Sequence, residues 1–502
     1  MKIENAALWP DTTPVTIETD GKKIVRVSAA QRVERQVLPA FVDNHLHIIP
    51  AGLDLLKPNL YGMTTPDEVF ERLLAELPLV PQGGWLVAVQ YDQNRFDGQS
   101  HITREELDRI SATVPIVLRH ASNHASVSNT AALELAGVGP DKENPKGGEY
   151  ERDEAGNLTG LALEAAHDEM MGALPAPTHE ELVSAILAAG KSMRQMGIVC
   201  AADLMTGRFG LAKELAAYQA AAEQGCAVRL RLYVQYGSIY GRYGMPADDF
   251  LDWKQALDTD AVRISGVKLF ADGAIGAQTA AIYGAYAGKA LFGEKKTSGI
   301  CIYPPEELAR RVRKAADDGY QVTVHAIGDY AVDIVMDAME EADFGVKHRI
   351  EHAMLLSDEQ IDRMKNLGVH CTMQPEFLSH FGEMYRKTLG DKRGSSIKRF
   401  RSVAEAGIPL SLSSDRPIVT GNPALTFRNA TDRPEGFSKE ENLEPVEALR
   451  SMTQRAWEAL GEEGRGVVAE GEPADLLVYE EGRVPLVEGP TEVVSSPFSQ
   501  PT

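Results

Sequence analysis

Cysteine is scarce in this chain of 502 residues: Cys200, Cys226, Cys301 and Cys371 stand far apart, with no C-x-x-C pair. That spacing excludes a disulfide framework and a thiolate zinc site. Basic residues are also short, since 51 Lys and Arg against 73 Asp and Glu leave a formal net charge of −22. So acidic a surface suits neither a phosphate backbone nor an anionic bilayer, and no nucleic-acid or membrane partner is expected. No run of ~18 apolar residues is present to span a bilayer. The opening MKIENAALWPD has no apolar stretch of the signal-peptide kind. A cytoplasmic location with reduced thiols is therefore expected, and neither sequence repeats nor low-complexity tracts complicate the reading.

What the chain does have is alternation. Apolar runs and amphipathic stretches take turns through its middle, the pattern of βα units and a parallel sheet. Eight runs read as strands: FVDNHLH, GIVCAADL, VRLRLYVQ, GVKLFADG, QVTVHAIG, HRIEHA, GVHCTMQP and IPLSLSSD. They predict an α/β fold, a (β/α)8 TIM barrel. The length exceeds the ~250 to 300 residues at which a single core stops growing, so further units are expected. Residues 1–39 and 466–488 read as short strands broken by turns, and two such ends flanking one barrel would pair into a small sheet. Between the first and second barrel strands lie more than 100 residues, too many for a loop. They hold helix-like TPDEVFERLLAEL, strand-like GWLVAVQYD and PIVLRHA, and turn-rich DKENPKGGEYERDEAGNLTG. An inserted α+β subdomain covering the barrel mouth is expected there. The expected boundaries are 1–39 plus 441–490 for the terminal β unit, 40–60 plus 175–440 for the barrel, 61–174 for the insert and 491–502 for a disordered tail.

Four motifs carry chemistry: His45 and His47 in FVDNHLH, His325 in VTVHAIGD, His352 in HRIEHA and Asp415 in LSLSSD. Each ends an apolar run and so projects from a strand's C-terminal tip, where such a barrel keeps its active site. Side chains alternate along a strand, so H-x-H sends both rings to one side. Metal coordination needs such imidazoles and carboxylates converging from rigid elements. A lone histidine is ordinarily a packing or hydrogen-bonding group, and His101, His120, His167, His179, His348, His370 and His380 read that way. Asp415 also suits a turn before Pro417. The constellation, not any one residue, points to metal.

The segments LPAFVDNHLHI, GVKLFADGAIGAQTA, VTVHAIGDYAVD, HRIEHA, MQPEF, SLSSDRPI and GVVAEGEPADLLVY resemble the amidohydrolase superfamily. More narrowly they resemble amidohydrolase family 3, the branch that includes N-substituted formamide deformylases. The resemblance implies a β-sandwich built from both chain ends and two divalent metal ions, zinc foremost. It assigns His45 and His47 to the first ion, His325 and His352 to the second, and Asp415 to the first. Lys268, in GVKLF, falls where many members carry a lysine carboxylated by carbon dioxide, whose carbamate bridges both metals; an unmodified ammonium has no lone pair to offer. The implied reaction is hydrolysis of a C–N bond, amide or formamide-type, in a small-molecule substrate through a metal-bridging hydroxide, with Asp415 shuttling the proton.

Candidate substrate contacts are Asp92, Gln93, Arg95 and His124 in mouth segments, Asp272 and Gln278 after strand four, Arg349 beside strand six and Gln374 after strand seven. Each equally suits a loop tie. The chain departs from the family at two of these segments, with Gln90-Tyr91 where Gly-Trp is usual and Ser122-Asn123-His124 where Asp-Gly-His is usual. A homodimer would follow the commonest symmetry. Two other classes stay open. A mononuclear deaminase of a heterocycle would want a glutamate shortly after His325, where Ala326-Ile327-Gly328-Asp329 stands. A non-catalytic barrel descendant would be expected to have lost ligands.

Overall fold

Eight strands lie side by side in chain order, each parallel to the next: Phe41–Leu46, Ile198–Thr206, Arg229–Gln235, Val262–Phe270, Gln321–Ala326, Arg349–His352, His370–Met373 and Leu410–Leu412. All eight fall on the runs expected from the sequence. The computed structural model describes residues 1–288, 297–342, 345 and 347–495. Because helices cover the outer face and side chains fill the inner one, these strands are buried almost throughout, as parallel strands must be. The barrel closes between its first and last strands. Asp415 N–H donates to His45 O at 2.7 Å, His47 N–H donates to Arg416 O at 2.8 Å, and Asn44 Nδ2 donates to Ser411 Oγ at 2.8 Å. Closure is thus made at the residues that the sequence marks for chemistry.

The chain divides into two compact units, Met1–Ala51 with His179–Thr502, and Gly52–Thr178. In the first unit both chain ends share a six-stranded sheet, in the order Glu492–Val494, Leu476–Glu480, Arg35–Pro39, Lys2–Leu8, Val15–Thr19, Ile24–Ala29. Its apolar side is formed by Ile3, Ala6, Ile17, Ile24, Val37, Leu476 and Val478. Two boundaries differ from expectation. Pro445–Met452 and Gln454–Ala459, assigned above to the terminal β unit, are helices packed on the first and last barrel strands. Their apolar residues recur at helical spacing, burying Ala448, Leu449, Met452, Ala456 and Trp457. Glu492–Val494, assigned to the tail, is the edge strand. The rest of the expected tail, from 496, lies outside the described residues.

The Gly52–Thr178 unit holds a five-stranded sheet in the order Leu86–Tyr91, Ile116–His120, Ala125–Ser128, Leu158–Glu164, Gly148–Arg152. Both faces are covered, which alternation shows directly: Ile116 and Leu118 join one apolar cluster and Val117 the other. Thr65 starts the helix Pro66–Glu76 with a reciprocal cap on Glu68. The turn-rich stretch expected near residue 150 is instead a hairpin, Gly148–Arg152 against Leu158–Glu164, with only its tip as turn. The unit also begins before residue 61, because Leu60 N–H donates to Val89 O at 2.9 Å and ties the preceding segment to this sheet. Among the described residues, no helix is long and apolar enough to cross a membrane.

Gly266 tests how tightly the fourth strand, which carries Lys268, is packed. A Cβ there would stand 2.4 Å from Gln321 O and 2.7 Å from Tyr233 Cε1. Gly266→Ala should therefore lower stability by about 1–3 kcal/mol, the usual cost of overpacking, read as a drop in the denaturant midpoint. An unchanged midpoint would mean that the strand can yield.

Candidate metal centre

Asp43, His45 and His47 alternate along and just beyond the first barrel strand, so their side chains share one side. The rings of His45 and His47, 1% and 8% exposed, stand 5.9 Å apart. From beyond the eighth strand Asp415 brings Oδ1 to 2.9 Å from His47 Nε2 and 3.5 Å from His45 Nε2. The donor atoms of this trio all lie within 4.8 Å of one another. Asp415 Oδ1 is buried yet makes no aligned hydrogen bond, and His47 Nδ1 is likewise unpartnered. Buried polar atoms left this way are rare and costly, and a cation among the three residues would satisfy Asp415 Oδ1.

His325 and His352 add a second pair of rings, 4.4 Å apart between centroids, with His352 4.8 Å from His45. In three of the four imidazoles one nitrogen faces an oxygen outside the His45–His47–Asp415 trio. His45 Nδ1 meets Glu351 Oε2 at 2.5 Å, His325 Nε2 meets Gly273 O at 3.0 Å, and His352 Nδ1 meets Gln374 Oε1 at 2.8 Å. An acceptor there fixes the ring proton on that nitrogen and leaves the other as a lone pair. Burial, reinforced by nearby cations, lowers the pKa values of His45 and His352 and takes that of His325 to about 3. These three rings are therefore neutral at pH 7, the form that binds metal.

Lys268 comes from the fourth strand. It is 1% exposed, its Nζ has no hydrogen-bond partner, and burial lowers its pKa to about 8. Two residues of the centre carry backbone strain: His352 has φ 71° and Asp415 φ 63°, in the left-handed region that few side chains adopt. At His352 the strand ends, so Glu351 and His352 escape the alternation that would send them to opposite sides. Such strain typically costs about 1–3 kcal/mol and gathers at functional sites.

Several residues expected to touch substrate have other work. Arg349 is wholly buried, donating from Nε to Glu351 Oε1 at 2.9 Å and from Nη2 to Asn44 O at 2.8 Å. Asp272 staples the loop after strand four, accepting the N–H groups of Ala281, Ile327 and Gly328 at 2.9, 3.0 and 2.8 Å. Gln374, also wholly buried, serves His352. All three are polar groups at strand ends, buried and hydrogen-bonded within the protein. Gln278 sits in the loop after strand four with φ 52°. Asp92, Gln93, Arg95 and His124 belong to the Gly52–Thr178 unit. There Asp92 caps the short turn Gln93–Arg95 through Asn94 N–H at 3.1 Å, and His124 pairs with Glu164 at 3.0 Å on the surface.

Three residues at the centre escaped the sequence reading. Asp43 accepts from Ser414 N–H at 3.1 Å and Ser414 Oγ at 2.5 Å, binding the first strand to the turn that carries Asp415. D-x-H-x-H spacing was its available signal. Glu351 accepts from Thr323 Oγ1 at 2.5 Å as well as from His45 and Arg349. Burial raises its pKa, but Arg349 and His45 outweigh that and hold the carboxyl well below its usual range. R-x-E on one strand face, beside a histidine, was the signal. Lys398, which donates to Gln374 Oε1 at 3.1 Å, offered none.

Replacing Glu351 tests this support. Glu351→Gln leaves the Arg349 charge buried without a partner, so stability should fall by about 3–5 kcal/mol. Zinc affinity should drop about 10–100-fold, as for other groups that orient a ligand, measured by titration of the metal-free protein. Because the folded carboxyl titrates below its unfolded value of about 4.3, its contribution is complete above that pH and is lost as pH falls towards the folded value. Wild-type stability should thus decline on acidification more steeply than that of the variant.

Comparison with known proteins agrees with this geometry. The sequence profile of the amidohydrolase family matches residues 34–495. YtcJ of Bacillus subtilis, which carries an amidohydrolase name, is 29% identical over 454 residues, covering 88% of this chain and 83% of that one. N-substituted formamide deformylase of Arthrobacter pascens is 28% identical over 481 residues, covering 91% and 85%. A crystal structure from Pyrococcus horikoshii OT3 described as a metal-dependent hydrolase superposes with a TM-score of 0.75 at 26% identity, covering 97% of this chain and 98% of that one. One from Pyrococcus furiosus, described in the same words, gives 0.76 at 24% identity, covering 97% and 99%. With the profile spanning nearly the whole sequence and the histidine cluster in place, the chain belongs to the amidohydrolase family.

Proposed function

We propose that this protein is a metal-dependent hydrolase that cleaves a C–N bond, amide or formamide-type, in a small-molecule substrate. The observation that carries the reading is the meeting of His45, His47 and Asp415 donor atoms within 4.8 Å, with two further neutral imidazoles beside them. The deformylase name carried by one relative supports the choice of bond.

The residues fit two divalent ions, His45, His47 and Asp415 holding one and His325 and His352 the other. Imidazole with carboxylate suits zinc, and also manganese, iron or cobalt. Lys268 would fit as a further ligand in the form of its N-carboxylate: the neutral amine attacks carbon dioxide, an N–C bond forms as a C=O electron pair moves onto oxygen, and one N–H proton leaves, so a neutral side chain becomes an anionic one. Metal bound here polarises a substrate carbonyl and lowers the pKa of water. The rest falls to the chain itself. Asp415 takes the proton of the attacking water on its carboxylate and returns it to the departing amine nitrogen. Its carboxylate is aimed by the bond from its own N–H to His45 O. Glu351, Gly273 and Gln374 hold three imidazoles in their ligating tautomers. The deaminase alternative gains nothing from Asp329, whose carboxylate accepts from Tyr283 N–H at 2.9 Å and Arg393 at 2.5 Å.

Elemental analysis of protein purified without chelator, then given zinc and bicarbonate, should find about two ions per chain. A count near one would leave a mononuclear centre, and none would overturn the reading. Lys268→Ala should lose most activity on N-formyl and N-acyl amines and regain part of it with added short carboxylic acids; full activity without them would end the bridging role. Asp415→Asn should keep the fold and lower turnover by roughly 10² or more, whereas a near-normal rate would leave Asp415 as a turn residue.

A further inference from the structure

Lys398 is completely buried, in the segment before the helix Phe400–Glu405. Lysine is almost never enclosed in this way unless its charge is paired. Among the described residues no carboxylate forms an ion pair with it. Its Nζ donates to Gln374 Oε1 at 3.1 Å and stands 5.1 Å from the centre of the Phe377 ring.

The backbone at Lys398 is as unusual as its side chain. Its φ is 53°, left-handed, and it is held there from several directions. Its N–H donates to Met354 O at 2.8 Å, and its carbonyl accepts from Phe400 N–H at 2.9 Å and from Arg433 Nη1 at 2.6 Å. Arg433, itself wholly buried, also grips Ile397 O at 2.7 Å. A strained residue so heavily fixed is the kind that persists for a function.

What Lys398 faces supplies that function. Gln374 Oε1 accepts both the lysine and His352 Nδ1–H, the latter at 2.8 Å, while Gln374 Nε2 donates to Ser413 Oγ at 3.1 Å. A glutamine amide left to itself can turn over, putting N–H against the imidazole and moving the ring proton to the other nitrogen. With a donor fixed beyond Oε1, the turned amide would face Lys398 with N–H groups. We propose that Lys398 is a positioning residue that locks the Gln374 amide, so that His352 keeps its proton on Nδ1 and presents Nε2 to the metal. As an ammonium the lysine has donors and no acceptor, so the turned amide would find nothing there to bond to. The inference rests on His352 being a metal ligand.

The test uses the full chain, stripped of metal and titrated with zinc against a competing chelator, and with cobalt for the ligand-field spectrum. Lys398→Met should weaken one of two ions by about 10–100-fold and alter the cobalt absorption of that site, leaving the other ion unchanged. Gln374→Met should do the same. The double variant should bind no more weakly than Gln374→Met alone, because the lysine acts through the glutamine. That last comparison also decides the matter if Lys398→Met does not fold, since the double variant removes both ends of the Lys398–Gln374 bond and leaves neither a buried amide nor a buried lysine without its partner. Wild-type affinity for both ions in Lys398→Met would overturn the inference, as would a double variant weaker than Gln374→Met. If the wild-type protein binds no ion, the metal reading fails and this inference with it; if it binds two and Lys398→Met is unaltered, only this inference falls.

Discussion

Inside the barrel the Glu351 carboxylate accepts from Arg349, Thr323 and His45, groups drawn from three different strands. Each is enclosed, so each interaction works in a medium where charges act far more strongly than in water. Taken singly, the cost of burying Arg349 or Glu351 would be prohibitive; together, with their hydrogen bonds complete, they are tolerable. Their arrangement also fixes the His45 ring. One buried carboxylate thus ties the first, fifth and sixth barrel strands together and fixes the direction of the His45 lone pair.

The same economy appears where the barrel closes. His45 and Asp415 are joined through the backbone by a bond of 2.7 Å, and their side chains meet over the same few ångströms. An ion held there would link the first and last strands of the barrel. Anything that binds the folded state alone stabilises it by mass action, so metal occupancy and barrel integrity should rise together.

Much of this was legible beforehand, for reasons that can be stated. Buried parallel strands read as apolar runs, and H-x-H exposes its geometry through the period of two, so the eight strands and the convergence of His45, His47, His325, His352 and Asp415 could be written from sequence. The supports could not. Glu351 meets His45 across 306 positions, and nothing local to either residue announces the pairing. Arg349 and Gln374 looked like substrate contacts because a polar side chain at a strand end is ambiguous between facing a ligand and facing its neighbours. Alternation itself failed at His352, where φ of 71° breaks the strand. The hairpin at Gly148–Glu164 was hidden because its first strand, GEYER, is polar and its second, LTGLALE, carries leucine and alanine with a single β-branched residue.

The six-stranded sheet has a bearing on how the chain matures. Arg35–Pro39, which leads directly into the strand bearing His45, pairs with Leu476–Glu480, more than four hundred residues later. During synthesis that partner arrives more than four hundred residues after Arg35–Pro39, and the eighth barrel strand, which closes on the first, also comes long after it. Contacts of such long sequence separation form slowly. The edge that carries His45, His47 and Asp415 thus forms only after the eighth strand has been made, and the nascent chain holds His45 and His47 in an incomplete barrel until then.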